Sequence, residues 1–230
     1  MPVVEQWTIL AAAAGATTKV RVGTFITNVM NRHPGVLARM ASTLQLASGG
    51  RFTLGIGIGG NPAEHRAYGI DFPGVPERAE RLEEALAVIR ALWSGGPVTR
   101  ESRFYPLIEA HALPVPDPAP RILVGAGSPR GLRIAARLGD GWAAEIDDFE
   151  RLLPTYDAAL AAEGKSREDA WIALGFGSGK SGQNALAGSP WLEAPGETWA
   201  RYAELGADEV VVPARTRNDV DALVRAAERW

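Results

Sequence analysis

Short runs of apolar, β-branched residues alternate with amphipathic stretches along most of the chain. In residues 76–96 the apolar positions Leu82, Leu86, Ile89 and Trp93 recur every three or four residues, which predicts a helix packed on one side. The apolar runs predict six strands, at residues 20–26, 52–59, 121–127, 141–146, 170–179 and 208–214. Strands that alternate with helices in this way predict an α/β fold with parallel strands.

Composition narrows the class of protein. The 230 residues are 46% hydrophobic and 22% charged and show no linker, so we expect a single domain over residues 1–230. The net charge of −3, without a long run of one sign, argues against a nucleic-acid or membrane surface. The chain has no cysteine and only three separated histidines, so we expect neither disulfides nor a metal site. No secretory or membrane-spanning pattern is present at the start, which predicts a cytoplasmic protein.

The segment RFTLGIGIGGNPAEH at 51–65 raises the question of a nucleotide site. Gly55, Gly57 and Gly60 match G-x-G-x-x-G, the phosphate-binding pattern of dinucleotide folds. That pattern needs a longer preceding strand and an acid at the end of the next strand, whereas Glu80 falls inside the amphipathic helix. We interpret the segment as a strand with glycines on one face. Such glycines mark the close approach of a ligand or backbone, or relieve crowding between strands.

A second glycine loop is the better phosphate candidate. LVGAGSPRG leads from a strand through Gly125, Ala126, Gly127 and Ser128 into a helix that begins at Pro129. Free amides at a helix N-terminus, together with the helix dipole, suit a phosphate or another anion. A plain turn between strand and helix is the other interpretation.

A third loop, LGFGSGKSG at 174–182, is close to the ATP- and GTP-binding pattern G-x-x-x-x-G-K-[ST]. Leu174 stands where that pattern needs its first glycine, so the phosphate cradle would have the wrong length. We interpret the segment as a loop near an anionic group, with Lys180 as a point charge.

Four segments together resemble a known family: TNVMNRHP at 27–34, SGGRFTLGIGIGG at 48–60, PRILVGAGSPRG at 120–131 and LGDGWAA at 138–144. They closely resemble the bacterial-luciferase-like superfamily and, within it, the flavin- or deazaflavin-dependent oxidoreductases. The likeness covers nearly the whole chain and implies a TIM-barrel-type (β/α)8 luciferase-like fold. It also implies that the chain starts before the family's third strand. We therefore expect a barrel truncated at its N-terminus by two βα units, about 60 residues, to about six strands.

The resemblance implies the cofactor-binding residues. Members of the family bind FMN or coenzyme F420 at the carboxyl ends of the strands. They carry a non-prolyl cis peptide against the cofactor ring, which here falls within Phe25, Ile26 and Thr27, with Asn28 beside it. The loop after the family's fourth strand corresponds to Gly59, Gly60 and Asn61, and its phosphate loop to Gly125, Ala126, Gly127 and Ser128. The family's sugar-phosphate dehydrogenases have an acid at the position of Gly60, so we do not carry their substrate over.

Few other side chains offer chemistry. His33, next to Pro34, either contacts the cofactor or caps a helix. We interpret Glu64 and His65 as a solvated helix face. Lys180, Arg215 and Arg217 follow the last two predicted strands, and we interpret them as surface charges rather than as partners of cofactor or substrate anions. No residue is assigned as general acid or base, and the catalytic residues stay unknown.

The resemblance implies a luciferase-like oxidoreductase or monooxygenase. It would use coenzyme F420, or alternatively FMN, to transfer a hydride to or from a small organic substrate. The segment TNVMNRHP resembles the F420-dependent branch of the family, which favours F420. A catalytically silent flavin-binding or assembly remnant of the family is the alternative. We expect a small-molecule substrate, a homodimer, and no nucleic-acid or membrane partner.

Overall fold

The computed structural model describes residues 4–176, 186 and 189–229. Contacts divide the chain into two compact units. The first comprises Met1–Gly125 and Arg137–Asp140, and the second Ala126–Ala136 and Gly141–Trp230. The single domain over residues 1–230 stays a prediction, and each unit is described by itself.

The first unit is built around parallel strands. Its helices are α1 (Gln6–Ala16), α2 (Pro34–Ala47), α3 (Pro62–Tyr68) and α4 (Val75–Trp93), with a 3₁₀ helix at Val29–Asn31. Its strands are β1 (Val22–Gly23), β2 (Thr27–Asn28), β3 (Phe52–Gly57), β4 (Val98–Arg100), β5 (Leu107–Ala110) and β6 (Arg121–Gly125). The strands β1, β2 and β6 each pair in parallel with β3.

Packing of α4 on α2 forms much of the first unit's core. Leu82, Leu86 and Ile89 are at most 1% exposed, and the predicted apolar stripe is confirmed. Trp93 is also buried, and its indole Nε1 donates to the Ala38 carbonyl of α2 at 3.0 Å. The stripe thus faces the core because its residues recur at helical spacing.

Residues 97–120, which have little periodicity, contain a short antiparallel hairpin of β4 and β5 that the pattern did not predict. Each strand has four residues or fewer, too short for alternation to be read. The side chain of Gln45 in α2 binds the backbone at two places, one after the hairpin at Pro118 and one at Phe52 in β3. Its Nε2 donates to the Pro118 carbonyl at 2.8 Å, and its Oε1 accepts from the Phe52 amide at 3.0 Å.

The second unit repeats the same construction. Its helices are α5 (Pro129–Leu138, up to residue 136 in this unit), α6 (Ile146–Ala162), α7 (Pro190–Glu193), α8 (Pro195–Glu204) and α9 (Arg217–Ala227), with a 3₁₀ helix at Arg167–Asp169. Its strands are β7 (Gly141–Glu145), β8 (Trp171–Gly175) and β9 (Glu209–Val211). The strand β8 pairs in parallel with both β7 and β9. Trp142, Phe149 and Tyr156 are fully buried at its centre.

Each unit contains the same aspartate clamp at the start of a strand. The Asp140 amide donates to the Ile122 carbonyl at 2.8 Å, and the Asp140 carboxylate accepts from the Ile122 amide at 2.8 Å. Asp208 does the same with Ile172 in the second unit, at 2.9 and 2.7 Å. The clamps satisfy backbone groups at strand ends that would otherwise lack partners.

The predicted α/β class is confirmed. A strand is present within each of the six predicted spans. The first span, 20–26, contains only β1 (Val22–Gly23), and β2 (Thr27–Asn28) begins just after its predicted end. Among the described residues, no helix is both long and apolar enough to cross a membrane.

Candidate cofactor-binding site

The division between β1 and β2 is a bulge in the first strand. Val22 and Gly23 pair with Phe52 and Thr53, whereas Thr27 and Asn28 pair with Ile56 and Gly57. Residues 24–26 therefore face only the two residues 54–55 of β3, so the first strand carries one extra residue. The peptide bond between Phe25 and Ile26 is cis, at the position that the resemblance implies.

Three glycines make room for this bulge. A Cβ atom on Gly57 would lie 2.6 Å from Cδ1 of Ile26, and one on Gly125 would lie 2.0 Å from the same atom. A Cβ on Gly55 would lie 2.1 Å from the Thr24 carbonyl oxygen. The glycines of β3 therefore admit a neighbouring backbone and side chain, which is one of the alternatives that the sequence left open.

The strand β3 ends at Gly57, two residues before its predicted end at Gly59. Gly59 has φ of +79°, in the left-handed region, so the chain turns there and leaves the sheet. A Cβ on Gly60 would meet no atom within 4 Å, so open space lies beside this residue.

Apolar surface is exposed at the bulge itself. Phe25 is 37% exposed and Ile26 38%, whereas Thr27 is buried and its hydroxyl accepts from the Trp7 indole at 3.0 Å. Exposed apolar side chains and the open space beside Gly60 both lie at the carboxyl ends of parallel strands. Such ends are where α/β folds bind ligands. These residues of the first unit fit a planar, largely apolar ring.

Asn28 is held at both ends of its side chain. Its Oδ1 accepts from the Met30 amide at 2.9 Å, and its Nδ2 lies 2.6 Å from Nε2 of His65. A Cβ on Gly59 would lie 2.5 Å from both of these Asn28 atoms. The Asn28 amide therefore covers the backbone at Gly59, where only glycine fits.

The interpretation of His65 as part of a solvated helix face is wrong. All seven residues of α3 are described, and His65 alone among them is buried, at 1% exposure. Its ring packs against Phe72 at 4.4 Å between centroids, and its Nδ1 lies 3.1 Å from the Asp71 carbonyl oxygen. Glu64 is exposed, as interpreted, and Asn61 caps the helix by accepting from the Glu64 amide at 3.3 Å. A helix this short gives no periodicity from which its inward residue could be found.

For His33 the structure shows the capping role. Its Nδ1 accepts from the Gly35 amide at 3.1 Å at the start of α2, and its ring meets Tyr105 edge-on at 5.4 Å. Burial raises the pKa of the Tyr105 phenol, and the neighbouring Arg81 guanidinium opposes that rise only in part.

In the second unit, the loop after Gly125 starts helix α5. The Ser128 hydroxyl accepts from the Gly131 amide at 3.3 Å, and the Ser128 carbonyl accepts from the Leu132 amide at 2.9 Å. The Ala126 carbonyl accepts from the buried Trp142 indole at 2.8 Å. Ser128 thus caps the helix, and phosphate binding by residues 125–128 stays a prediction.

Two of the three remaining cationic candidates lie among the described residues. Arg215 and Arg217 are exposed, in agreement with their interpretation as surface charges. Lys180, with most of the loop 174–182, lies outside the described residues.

Comparison with known proteins identifies the family. The sequence model of luciferase-like monooxygenases matches residues 2–178. The chain belongs to this family. The resemblance seen in the sequence is thereby confirmed, and the dinucleotide-fold interpretation of Gly55, Gly57 and Gly60 is set aside.

Individual members of the family are similar over much of this chain. An F420-dependent glucose-6-phosphate dehydrogenase of Microbacterium testaceum is 34% identical over 166 residues, which are 70% of this chain and 49% of that protein. A phthiodiolone/phenolphthiodiolone dimycocerosates ketoreductase of Mycobacterium bovis is 33% identical over 233 residues, covering 89% of this chain and 58% of that protein. The chain therefore spans about half the length of these curated relatives.

Solved structures agree on the fold. An F420-dependent secondary alcohol dehydrogenase in complex with an F420-acetone adduct superposes with a TM-score of 0.69 at 27% identity. The match covers 75% of this chain and 54% of that one. The expected luciferase-like fold of the TIM-barrel type is confirmed.

Proposed function

We propose that this chain carries the activity of an F420-dependent oxidoreductase that passes a hydride between the deazaflavin and a small organic substrate. The observation that supports it is the bulge of the first strand, with Phe25 and Ile26 exposed at the carboxyl end of the sheet. Two of the similar proteins described above are named as F420-dependent, which favours F420 over FMN.

The role of the protein residues in this proposal is mainly to bind and orient. Phe25 and Ile26 are 37% and 38% exposed, so one face of an apolar ring can pack on them. The open space beside Gly60 admits that ring close to the backbone. The Asn28 amide, fixed at the edge of this surface, supplies a polar boundary. When bound, the deazaflavin accepts or donates the hydride.

The lack of a carboxylate at Gly60 bears on the substrate. Gly60 and its neighbour Gly59 present backbone only, so this part of the site offers no acidic side chain to move a proton. We propose an uncharged alcohol or carbonyl compound rather than a sugar phosphate. We propose separately that the protein forms a homodimer and that residues 125–128 bind phosphate.

Titration of the purified protein with F420 and, separately, with FMN tests the proposal. We expect F420 to bind at micromolar concentration, read as a change in its fluorescence, and FMN to bind more weakly. Binding of F420 should be followed by turnover with secondary alcohols or ketones, recorded as a loss or gain of deazaflavin absorbance.

Each other outcome is decisive. Tighter binding of FMN than of F420 would identify FMN as the cofactor instead. Binding of F420 without turnover of any alcohol or ketone would favour the catalytically silent member of the family. Absence of binding of both cofactors would overturn the proposal for this chain.

A further inference from the structure

The hydrogen-bond roles of His65 and Asn28 follow from the two backbone groups at the ends of their contact. The Met30 amide can only donate, so the Asn28 atom that meets it is the oxygen, and the amide nitrogen turns to His65. The Asp71 carbonyl can only accept, so His65 is protonated at Nδ1. Nδ2 of Asn28 can only donate, so Nε2 of His65, 2.6 Å away, accepts with its lone pair. Each of the three contacts that link Met30 through Asn28 and His65 to Asp71 thus joins one donor and one acceptor.

We propose that His65 is a positioning residue: its neutral ring, protonated at Nδ1 by the pairing with Asp71, accepts from Asn28 and so holds the Asn28 amide in one orientation over Gly59. This inference rests on the proposed function in so far as Asn28 borders the cofactor. The contact itself is independent of any cofactor.

The surroundings of His65 support a fixed ring. The Phe72 ring packs on the His65 ring at 4.4 Å between centroids, and the Arg78 guanidinium lies over the Phe72 ring, 3.9 Å from its centroid. Arg78 is itself 8% exposed, and its Nη1 donates to the Pro73 carbonyl at 2.7 Å. A buried cation next to Phe72 and a carbonyl on Nδ1 leave the ring little freedom to turn. Its Nε2 therefore stays directed at Asn28.

The consequence concerns the edge of the cofactor site. Asn28 follows the bulge by two residues and pairs with Gly57 on β3. With Oδ1 held by Met30 alone, the amide could rotate away from Gly59. With both ends held, it keeps one face beside the turn at Gly59 and Gly60. His65, which does not belong to the bulge, thereby acts on the site through Asn28.

A spectroscopic experiment tests the assignment without cofactor. The chain has three histidines, so protein labelled with ¹⁵N-histidine gives three pairs of side-chain signals. The His65→Gln variant identifies the pair that belongs to His65. At about pH 8 we expect that ring to be protonated at Nδ1 and unprotonated at Nε2. A ring protonated at Nε2 would overturn the assignment, because it could not accept from Asn28.

Two substitutions separate positioning from packing. In His65→Gln the side-chain oxygen reaches the place of Nε2 and still accepts from Asn28. In His65→Asn the amide reaches only the place of Nδ1 and keeps the contact with Asp71. Both variants lose the ring on Phe72, so both should have a lowered melting temperature.

The cofactor affinities should differ between the two variants. We expect the Kd for F420 to rise about tenfold in His65→Asn, the effect of about one hydrogen bond, and to stay within about threefold of the natural chain in His65→Gln. Adding His65→Asn to Asn28→Ala should cost little further affinity, because the amide that His65 holds is already absent in Asn28→Ala. Equal losses in the Gln and Asn variants would show that His65 acts through packing alone.

Failure of the proposed function can be told apart from failure of this inference. If the unsubstituted chain binds neither cofactor, the proposed function fails. The contact is then decided by the ring protonation and by a double-mutant cycle of Asn28→Ala and His65→Asn in the free energy of unfolding. Additive effects in that cycle, or a ring protonated at Nε2, would overturn it.

Discussion

The Thr24 hydroxyl forms two hydrogen bonds with one residue of the neighbouring strand, Gly55. It donates to the Gly55 carbonyl at 2.6 Å and accepts from the Gly55 amide at 2.9 Å. Thr24 is 3% exposed and Gly55 is buried. At the bulge the backbone of the first strand is out of register with β3, so the side chain satisfies the two backbone groups that the ladder leaves open.

Replacing Thr24 by Val should therefore destabilise the protein although the two side chains have nearly the same shape. The change leaves a buried amide and a buried carbonyl without partners, and each costs about 1–3 kcal/mol. We expect the free energy of unfolding in urea to fall by about 2–6 kcal/mol. Thr24→Ser keeps the hydroxyl and serves as the control, with a loss of about 1 kcal/mol for the missing methyl group. Equal losses for Val and Ser would mean that the hydroxyl does not carry this effect.

The bulge also shows where prediction from the sequence stops. Leu82, Leu86 and Ile89 repeat at helical spacing, so α4 and its buried face could be predicted from their pattern alone. The extra residue lies between β1 and β2, which have two residues each, too few for a shift in the alternation to be seen in the sequence. The cis bond at Phe25 could therefore be expected only from the family resemblance.

Two features of the site depend on contacts distant in sequence. Glycine is required at positions 57 and 125 because a Cβ atom at either would collide with the same atom, Ile26 Cδ1. The two positions are far apart in the sequence. His65 is buried because Asn28, Asp71 and Phe72 meet around it. The pattern of residues within one segment therefore cannot predict either set of contacts.

Adding one methyl group at Gly60 tests the proposed ring-binding surface. A Cβ there meets no atom within 4 Å, so Gly60→Ala should leave the melting temperature within about 2 °C of the natural chain. The methyl group would occupy the space proposed for the cofactor, so the Kd for F420 should rise about tenfold or more.

Gly15 in α1 is the matched control for this change, because a Cβ there also meets nothing within 4 Å. Gly15→Ala should leave the Kd unchanged and raise stability slightly, since alanine favours a helix by about 1 kcal/mol over glycine. Unchanged cofactor affinity in Gly60→Ala would place the ring elsewhere. In Gly55→Ala the Cβ would lie 2.1 Å from the Thr24 carbonyl oxygen, so we expect this variant not to fold.

The start of α1 should contribute a pH-dependent part of the stability. The Glu5 carboxylate caps the helix, accepting from the Trp7 amide at 3.1 Å and from the Thr8 amide and hydroxyl, each at 2.8 Å. Partial burial raises its pKa. The hydrogen bonds from Thr8 and Trp7, and then from Arg32, outweigh burial and lower the pKa from 4.5 to about 2.

Because the folded state holds this carboxyl group ionised to a lower pH than the unfolded state does, its contribution is complete above pH 4.5. It is lost as the pH falls from 4.5 through about 2. Half of the Glu5 side chain is exposed, so solvent screening limits the contribution to about 1 kcal/mol. Glu5→Gln should be less stable than the natural chain by about that amount at neutral pH.

Denaturant titrations of the two proteins between neutral pH and about pH 3 measure this difference directly, since the other carboxyl groups titrate alike in both. The gap should narrow steadily below pH 4.5. Arg32→Gln removes the ion pair of 2.7 Å but leaves the bonds from Trp7 and Thr8, so it should reproduce only a small part of the gap. If Arg32→Gln produced the whole gap, the surface ion pair rather than the helix cap would hold the carboxylate.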